Sequence, residues 1–227
     1  MRLQSHVKHK VAGGESAPTI AADVKRRNEP NLFGAAEPRP ESRARSRPEP
    51  WPEGFRYEQG FLSEPEERDL VRHVEALPFA GFEFHGFLGK RRVVSFGWKY
   101  DFNDRKLQRA DDMPPFLLPL RQRAAEWVGL DPSAFQHVLV TEYSPGAGIG
   151  WHRDKAVFDE VVGISLLAPC RFRFRRRRGE KWERTAVKLS AGSAYLLAGP
   201  SRTEWEHSIP EMDRLRYSIT VRNFKAK

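Results

Sequence analysis

The sequence predicts an α+β fold in which a double-stranded β-helix, or jelly roll, follows two helices that buttress one of its sheets. Two observations support this expectation. From residue 136 onward, short alternating or apolar stretches recur between glycines and prolines, which is typical of β-sandwiches and jelly rolls. Before residue 136, two longer stretches carry apolar residues at helical spacing behind proline-containing starts.

The first half of the domain contains both predicted helices. Residues 55–62 alternate and predict a strand, and residues 91–97 are strand-like. Ser63 precedes a proline and acidic residues, which favour a helix start. A second helix is predicted over residues 116–128, after Pro114 and Pro115. The apolar face of the first helix consists of Leu70, Val71, Val74 and Leu77.

The second half is predicted to be almost entirely β-structure. Its segments are short and are separated by turn-forming residues, so each is read as one strand of the jelly roll. The predicted strands are residues 138–143, 160–167, 171–176, 183–189, 193–197, 205–208 and 215–223.

Residues 1–50 are predicted to be a disordered basic tail, and residues 51–227 the folded domain. The tail is rich in Ala, Pro, Arg, Glu and Ser and has few large apolar residues. It contains 10 Lys/Arg and 6 Asp/Glu, which leaves 29 and 24 for the domain, and the whole chain carries +9. This charge favours an anionic partner such as nucleic acid, although a solubilising surface charge explains it equally well.

The sequence also indicates a compartment. It contains a single cysteine, Cys170, so no internal disulfide can form, which fits a reducing cytoplasm. No stretch of about 18 apolar residues is present, so no transmembrane helix is expected. We therefore expect a cytoplasmic monomer without a membrane partner.

The most informative motif is His152-Arg-Asp154, followed about fifty residues later by His207. In an extended segment, residues two apart point to the same side, so His152 and Asp154 share one face. A second histidine from a later strand would complete a face of two histidines and one carboxylate, typical of non-haem Fe(II) oxygenases. The same ligands can hold Zn²⁺, and a surface His-x-Asp pair is common, so the motif alone is weak evidence.

A strict alternation in the last strand strengthens the metal hypothesis. Arg216, Ser218, Thr220 and Arg222 share one side of residues 214–222, and apolar residues occupy the other. If the polar side points into the barrel, a buried guanidinium needs an anionic partner. A dicarboxylate co-substrate provides one.

Together these motifs resemble the AlkB family of 2-oxoglutarate dioxygenases over roughly residues 55–224. Tyr143 precedes the stretch 146–154 that contains the His-x-Asp pair, and further matching stretches follow in the family's order. They are residues 162–167, 192–202 and 205–209 and the pair Arg216-x5-Arg222.

The resemblance implies roles for individual residues. His152, Asp154 and His207 match the iron ligands, and Arg216 matches the arginine that grips the distal carboxylate of 2-oxoglutarate. The other co-substrate positions are Tyr143, Arg222, Thr141 and Ser218. The chain departs from the family pattern at Thr141, where an asparagine is frequent, and at Ala156, where DNA-repair members commonly carry an acidic residue.

The resemblance further implies Fe(II), 2-oxoglutarate and O₂ as cofactors and co-substrates, and oxidative demethylation of alkylated bases in DNA or RNA as the activity. One alternative is a hydroxylase or demethylase of a protein or small molecule. Another is a non-catalytic nucleic-acid-binding protein on the same fold. Basic and aromatic residues in two segments are candidates for substrate contacts. They are Lys90, Arg91, Arg92, Trp98 and Tyr100 in the first segment, and Arg176, Arg177 and Arg178 in the second.

Overall fold

The computed structural model of the chain describes residues 51–84, 87–101 and 106–226. The tail predicted for residues 1–50 lies outside these ranges and stays a prediction. Within them, no helix is long and apolar enough to cross a membrane.

The first half of the described chain combines two helices with five strands. A single 3₁₀ turn at Pro115–Leu117 leads into the second helix. In chain order the elements are β1 (Phe55–Glu58), α1 (Glu64–Glu75), β2 (Ala80–Phe84), β3 (Phe87–Phe96), β4 (Trp98–Asp101), β5 (Lys106–Arg109) and α2 (Leu118–Val128).

The second half is mostly β-structure with one short helix. In chain order its elements are β6 (Phe135–Tyr143), β7 (Ile149–His152), β8 (Phe158–Leu166), β9 (Cys170–Arg178), β10 (Lys181–Leu189), β11 (Ser193–Leu197), α3 (Gly199–Thr203), β12 (Glu206–Ile209) and β13 (Arg216–Phe224).

The helix ends follow from local chemistry. At the start of α1, the Glu66 carboxylate accepts hydrogen bonds from the Ser63 backbone N–H and hydroxyl, both at 2.8 Å. Gly129 ends α2 in the left-handed conformation, with φ +81°, which glycine adopts without a steric penalty. These contacts confirm the helix start predicted at Ser63.

The strands form two main sheets and a small ribbon. A seven-stranded sheet has the order β1-β11-β8-β13-β6-β3-β2, and a four-stranded sheet has the order β10-β9-β12-β7. β4 and β5 pair with each other. The pairings within these sheets are antiparallel, as expected for a jelly roll.

Two apolar clusters show how the layers pack. Val74 of α1 and Ala124 of α2 lie in one cluster with Val140, Ile164 and Ile219 from the middle strands of the large sheet. The helices therefore buttress the outer face of that sheet, as the sequence predicts. The second cluster fills the space between the two sheets and contains Phe55, Phe172, Phe174, Tyr195 and Trp205.

The structure extends and adds to the predicted elements. The predicted strand over residues 55–62 ends at Glu58, because the chain turns at Gly60, with φ +75°. β2, β4, β5, β7 and α3, each of four or five residues, were not predicted as separate elements.

Candidate active site

His152, Asp154 and His207 are brought together by the four-stranded sheet. His152 on β7 and His207 on β12 are directly opposite each other in an antiparallel pair. Their ring centroids are 4.3 Å apart, and Nε2 of His207 lies 3.6 Å from Oδ2 of Asp154. Two imidazoles and one carboxylate from separate parts of the sequence therefore converge at one place.

The three groups converge but do not form a closed coordination sphere. Among the described residues, no three His, Cys, Asp or Glu side chains meet the geometry of a metal site. Oδ1 of Asp154 is 3.1 Å from Nε and 3.0 Å from Nη2 of Arg222, which leaves Oδ2 on the side of His207. Metal binding by this cluster would therefore need a side-chain adjustment.

The protonation of the histidines suits metal binding. Nδ1 of His152 lies 2.8 Å from the Gly150 carbonyl oxygen. Because a carbonyl can only accept, Nδ1 carries the proton and Nε2 has a free lone pair. Burial lowers the pKa of His152, and burial together with the charge of His152 lowers the pKa of His207 to about 3. Both rings are therefore neutral at pH 7, as a metal ligand requires.

Asp154 remains ionised although it is buried. Burial acts to raise the pKa of its carboxyl, but the positive charge of Arg222 and of neighbouring groups holds that pKa well below its usual range. Nη1 of Arg222 also lies 3.3 Å from Nδ1 of His137, whose pKa is lowered to about 3 by burial and by Arg222. A neutral His137 accepts this hydrogen bond, so Arg222 is held between an acceptor and an anion.

Arg216 is fully buried and only partly paired. Its Nε donates to Oγ of Ser165 at 3.2 Å, and its guanidinium carbon lies 5.0 Å from the centre of the Tyr143 ring. Nη1 and Nη2 have no hydrogen-bond partner among the described residues. A buried guanidinium with two unpaired donors is costly, so this position fits a ligand carboxylate.

The remaining co-substrate candidates lie on the same inward face. Arg216 is opposite Tyr143, and Ser218 is opposite Thr141, across the pairing of β13 with β6. Thr141 and Ser218 are both buried. The alternation predicted for residues 214–222 is confirmed, because Tyr217, Ile219 and Val221 lie in the cluster under the helices.

The basic residues of β3 separate into different environments. Arg91 hydrogen-bonds to Tyr143 and is close enough to Arg222 and Asp154 for their charges to affect its pKa, which burial lowers. Its side chain therefore extends into the interior, toward the candidate ligands. Arg92 points to the opposite face and binds both oxygens of Glu142, at 2.8 and 2.7 Å. Lys90 is exposed and pairs with Glu211 at 2.9 Å.

Because neighbours along a strand point to opposite faces, Arg91 does not share a face with Lys90 and Arg92. The assignment of these three residues as substrate contacts stays a prediction. Trp98 packs edge-on against Phe224, with their ring centres 5.9 Å apart. The side chain of Tyr100 lies outside the described part of the chain.

The arginines of the second basic segment also lie in different environments. Arg176 binds Glu183 at 2.9 Å and Glu204 at 2.7 Å, so its charge is already neutralised within the protein. Arg177 and Arg178 are exposed. The assignment of the three arginines as substrate contacts stays a prediction.

Sequence reasoning missed four contributors to the site. They are His137 beside Arg222, Ser165 beside Arg216, the Gly150 carbonyl, and the buried Arg202. Nη2 of Arg202 donates to the Phe158 carbonyl at 2.9 Å and to the Lys155 carbonyl, and so fixes the segment after Asp154. One signal was available for His137, because its spacing from Thr141 and Tyr143 places it on the inner face of β6.

The residues present fit an Fe(II) ion and 2-oxoglutarate. Neutral imidazoles and an ionised carboxylate suit a divalent metal, and the unpaired Nη atoms of Arg216 suit a carboxylate. His152, Asp154 and His207 would hold the metal, and Arg216 with Tyr143 would hold the distal carboxylate of the co-substrate.

Comparison with known proteins gives a consistent result. A family model described as the 2OG-Fe(II) oxygenase superfamily matches residues 54–222. An Arabidopsis thaliana protein named "Alkylated DNA repair protein ALKBH8 homolog" is 26% identical over 189 residues, which are 72% of this chain and 53% of that protein. The Mus musculus "DNA oxidative demethylase ALKBH2" is 33% identical over 123 residues, which are 48% of this chain and 50% of that protein.

A solved structure supports the fold independently. "The structure of OsALKBH1" superposes with a TM-score of 0.61 at 17% identity, over 75% of this chain and 96% of that one. The chain spans about half the length of the two curated relatives named above. It belongs to the 2OG-Fe(II) oxygenase superfamily, whose members use Fe(II), 2-oxoglutarate and O₂, and within it the chain is AlkB-like.

Proposed function

We propose that this protein is a 2-oxoglutarate-dependent dioxygenase that oxidatively demethylates alkylated bases in DNA or RNA. The observation that supports it most strongly is Arg216: a fully buried guanidinium whose two terminal nitrogens have no partner among the described residues. It contacts Tyr143 in the cluster between the large sheet and the small sheet that carries His152 and His207. A buried cation with free donors is suited to an anion from solution, and a dicarboxylate co-substrate is such an anion.

The protein's own groups hold and orient the reactants. His152, Asp154 and His207 would hold the metal, and Arg216 would hold the distal carboxylate of 2-oxoglutarate. When bound, the metal and co-substrate supply the oxidation: O₂ converts 2-oxoglutarate to succinate and CO₂ and places one oxygen into a substrate C–H bond. On an N-methyl group, the resulting N-hydroxymethyl product releases formaldehyde and leaves the free amine.

The choice of nucleic acid as substrate is supported by charge and by the position of Arg91. The domain is basic in its own right, with 29 Lys/Arg and 24 Asp/Glu in residues 51–227. Arg91 lies beside Tyr143, where it can meet the polar edge of a base. A base in a duplex would have to flip out of the stack, so single strands are the simpler substrate.

A cytoplasmic location stays a prediction.

The test is formaldehyde release from a panel of single-stranded oligonucleotides, each with one N-methylated base. We expect formaldehyde and succinate in equal amounts from at least one methylated oligonucleotide, and neither from its unmethylated form. His152→Ala should abolish both products. Exposed His73→Ala is the matched control and should leave them unchanged, because His73 lies on α1, away from the cluster.

The alternative is a hydroxylase of a protein or small molecule. Ala156, where DNA-repair relatives commonly carry an acidic residue, leaves that alternative open. Slow conversion of 2-oxoglutarate to succinate that no methylated oligonucleotide stimulates would favour it over the nucleic-acid substrate.

A further inference from the structure

The outward face of the four-stranded sheet is strongly basic. Phe172 and Phe174 of β9 are buried between the sheets, so the alternate residues of that strand point outward. The outward residues of β9 are Arg171, Arg173, Arg175 and Arg177, and opposite them on β10 are Lys188, Ala186, Arg184 and Trp182.

Five side chains on this face stack in alternation, and we call them the arginine–tryptophan ladder: Arg173, Trp151, Arg175, Trp182 and Arg177. From each guanidinium carbon to the neighbouring ring centre, the successive distances are 5.0, 4.5, 4.3 and 5.3 Å. All lie within the range of a cation–π contact. Arg175 is held between both tryptophans, so the ladder is ordered before anything binds.

The ladder keeps most of its hydrogen-bond donors available. Nε of Arg173 donates to Ser208 at 3.0 Å, and Nε of Arg175 to Glu206 at 2.6 Å. Within the described ranges, the terminal nitrogens of these arginines and all of Arg177 have no hydrogen-bonded partner. A stacked guanidinium loses little further freedom when it binds a phosphate oxygen, so these donors are preorganised.

The outward face of the four-stranded sheet has a large excess of positive charge, which favours an anionic partner. The outward positions of β9, β10 and β12 carry one carboxylate, that of Glu206, and six cations. The cations are Arg171, Arg173, Arg175 and Arg177 on β9, and Arg184 and Lys188 on β10. The chain's own residues 1–50 carry 10 Lys/Arg against 6 Asp/Glu, so by charge they do not suit this face. A nucleic acid strand, with its regular series of phosphate charges, suits this face.

The ladder lies on the outward face of the sheet whose inward face carries the two histidines of the candidate active site. Trp151 precedes His152 on β7, and Glu206 and Ser208 flank His207 on β12. Because side chains alternate along a strand, the ladder and the two histidines lie on opposite faces of the four-stranded sheet. β7 is at the edge of its sheet, so a flexible chain that lies on the ladder can cross that edge toward the site.

We propose that the arginine–tryptophan ladder is a second nucleic-acid-binding surface, which holds single-stranded DNA or RNA next to the segment that enters the active site. This inference rests on the proposed nucleic-acid substrate. The guanidinium groups bind phosphates, and the indole rings between them hold the guanidinium groups in place.

The test measures binding of a fluorescently labelled, unmodified single-stranded 12-mer by anisotropy, across a salt series. Arg171→Gln/Arg177→Gln removes two exposed cations from this face, and Trp182→Ala removes the ring that contacts Arg175 and Arg177. We call these two proteins the ladder variants. The matched control, Arg68→Gln/Arg72→Gln, removes two exposed cations from α1 on the far side of the large sheet.

Because Arg171→Gln/Arg177→Gln removes two cations that each bind a phosphate, it should flatten the slope of log affinity against log salt by about 1.4. Trp182→Ala leaves the charges in place but frees Arg175 and Arg177, so it should weaken binding about tenfold with little change in slope. The control pair should bind like the unmodified protein. A slope for Arg171→Gln/Arg177→Gln that equals the slope of the control pair would overturn the proposal.

Turnover separates this inference from the proposed function. The ladder variants should demethylate a methylated mononucleotide as the unmodified protein does, and lose efficiency, through a higher KM, only on a 12-mer that contains the same methylated base. If the unmodified protein binds the unmodified 12-mer through the ladder yet demethylates no methylated substrate, the proposed chemistry fails and the ladder stands. If the ladder variants keep full efficiency on the methylated 12-mer, the ladder fails and the chemistry stands.

Discussion

Arg222 binds the carboxylate of Asp154 deep in the protein, with Nη2 at 3.0 Å and Nε at 3.1 Å from Oδ1. The two side chains are 9% and 10% exposed, so the ion pair is largely shielded from water. It leaves Oδ2 of Asp154 directed at His207. The pair therefore orients the carboxylate of the candidate metal site.

Removal of Arg222 alone should destabilise the fold, because it leaves the Asp154 charge buried without its partner. We expect Arg222→Gln to lower the free energy of unfolding by about 3 kcal/mol. In an Asp154→Asn background the same replacement should cost less than half as much. Urea unfolding of the four proteins measures this coupling, and additive costs would show that the pair does not interact.

Replacement of Arg216, unlike that of Arg222, should not destabilise the protein without ligand. Arg216→Met removes a buried charge with two unpaired donors, so its melting temperature without 2-oxoglutarate should be no lower than that of the unmodified protein. Added 2-oxoglutarate with Fe(II), kept anaerobic, should raise the melting temperature of the unmodified protein but not that of Arg216→Met.

Arg202→Met serves as the contrasting variant. Arg202 is also buried, but its terminal nitrogen donates to the backbone carbonyls of Phe158 and Lys155. Its loss should lower the melting temperature without ligand. If 2-oxoglutarate stabilises Arg216→Met as much as the unmodified protein, the carboxylate assignment is wrong.

The pair formed by Arg92 and Glu142 should make stability depend on pH. Hydrogen bonds from Arg92 lower the pKa of Glu142 below its usual 4.5, against an opposing effect of burial and with help from Ser144. A lowered pKa in the folded state stabilises the protein above pH 4.5, and this contribution is lost as pH falls through the folded value.

The comparison is between the unmodified protein and Glu142→Gln from pH 7 to pH 3. The unmodified protein should be the more stable above about pH 5, and the difference should shrink steadily below pH 4.5. A difference in unfolding free energy that stays constant over this range would mean that Glu142 keeps an ordinary pKa.

Much of the architecture could be predicted because it depends on period alone. The alternation of β13 placed Arg216 and Arg222 on one face and Tyr217, Ile219 and Val221 on the other, and the structure confirms both faces. The motif 152–154 likewise placed a histidine and a carboxylate on one side of an extended segment. These inferences need only the geometry of a single strand.

The rest depends on register between strands that are distant in sequence. His137 is opposite Arg222 only because β6 pairs with β13, 85 residues later. Arg92 meets Glu142 for the same reason, across the pairing of β3 with β6. A basic run such as Lys90–Arg92 therefore looks uniform in the sequence, although its members serve different faces.

The central claim is that His152, Asp154 and His207 hold one Fe(II) ion. The most direct measurement is an anaerobic calorimetric titration of Fe(II) into the protein with saturating 2-oxoglutarate. We predict one Fe(II) per chain, at least hundredfold weaker binding by His152→Ala and His207→Ala, and unchanged binding by His73→Ala. Fe(II) binding by His152→Ala and His207→Ala with the stoichiometry and affinity of the unmodified protein would contradict the account.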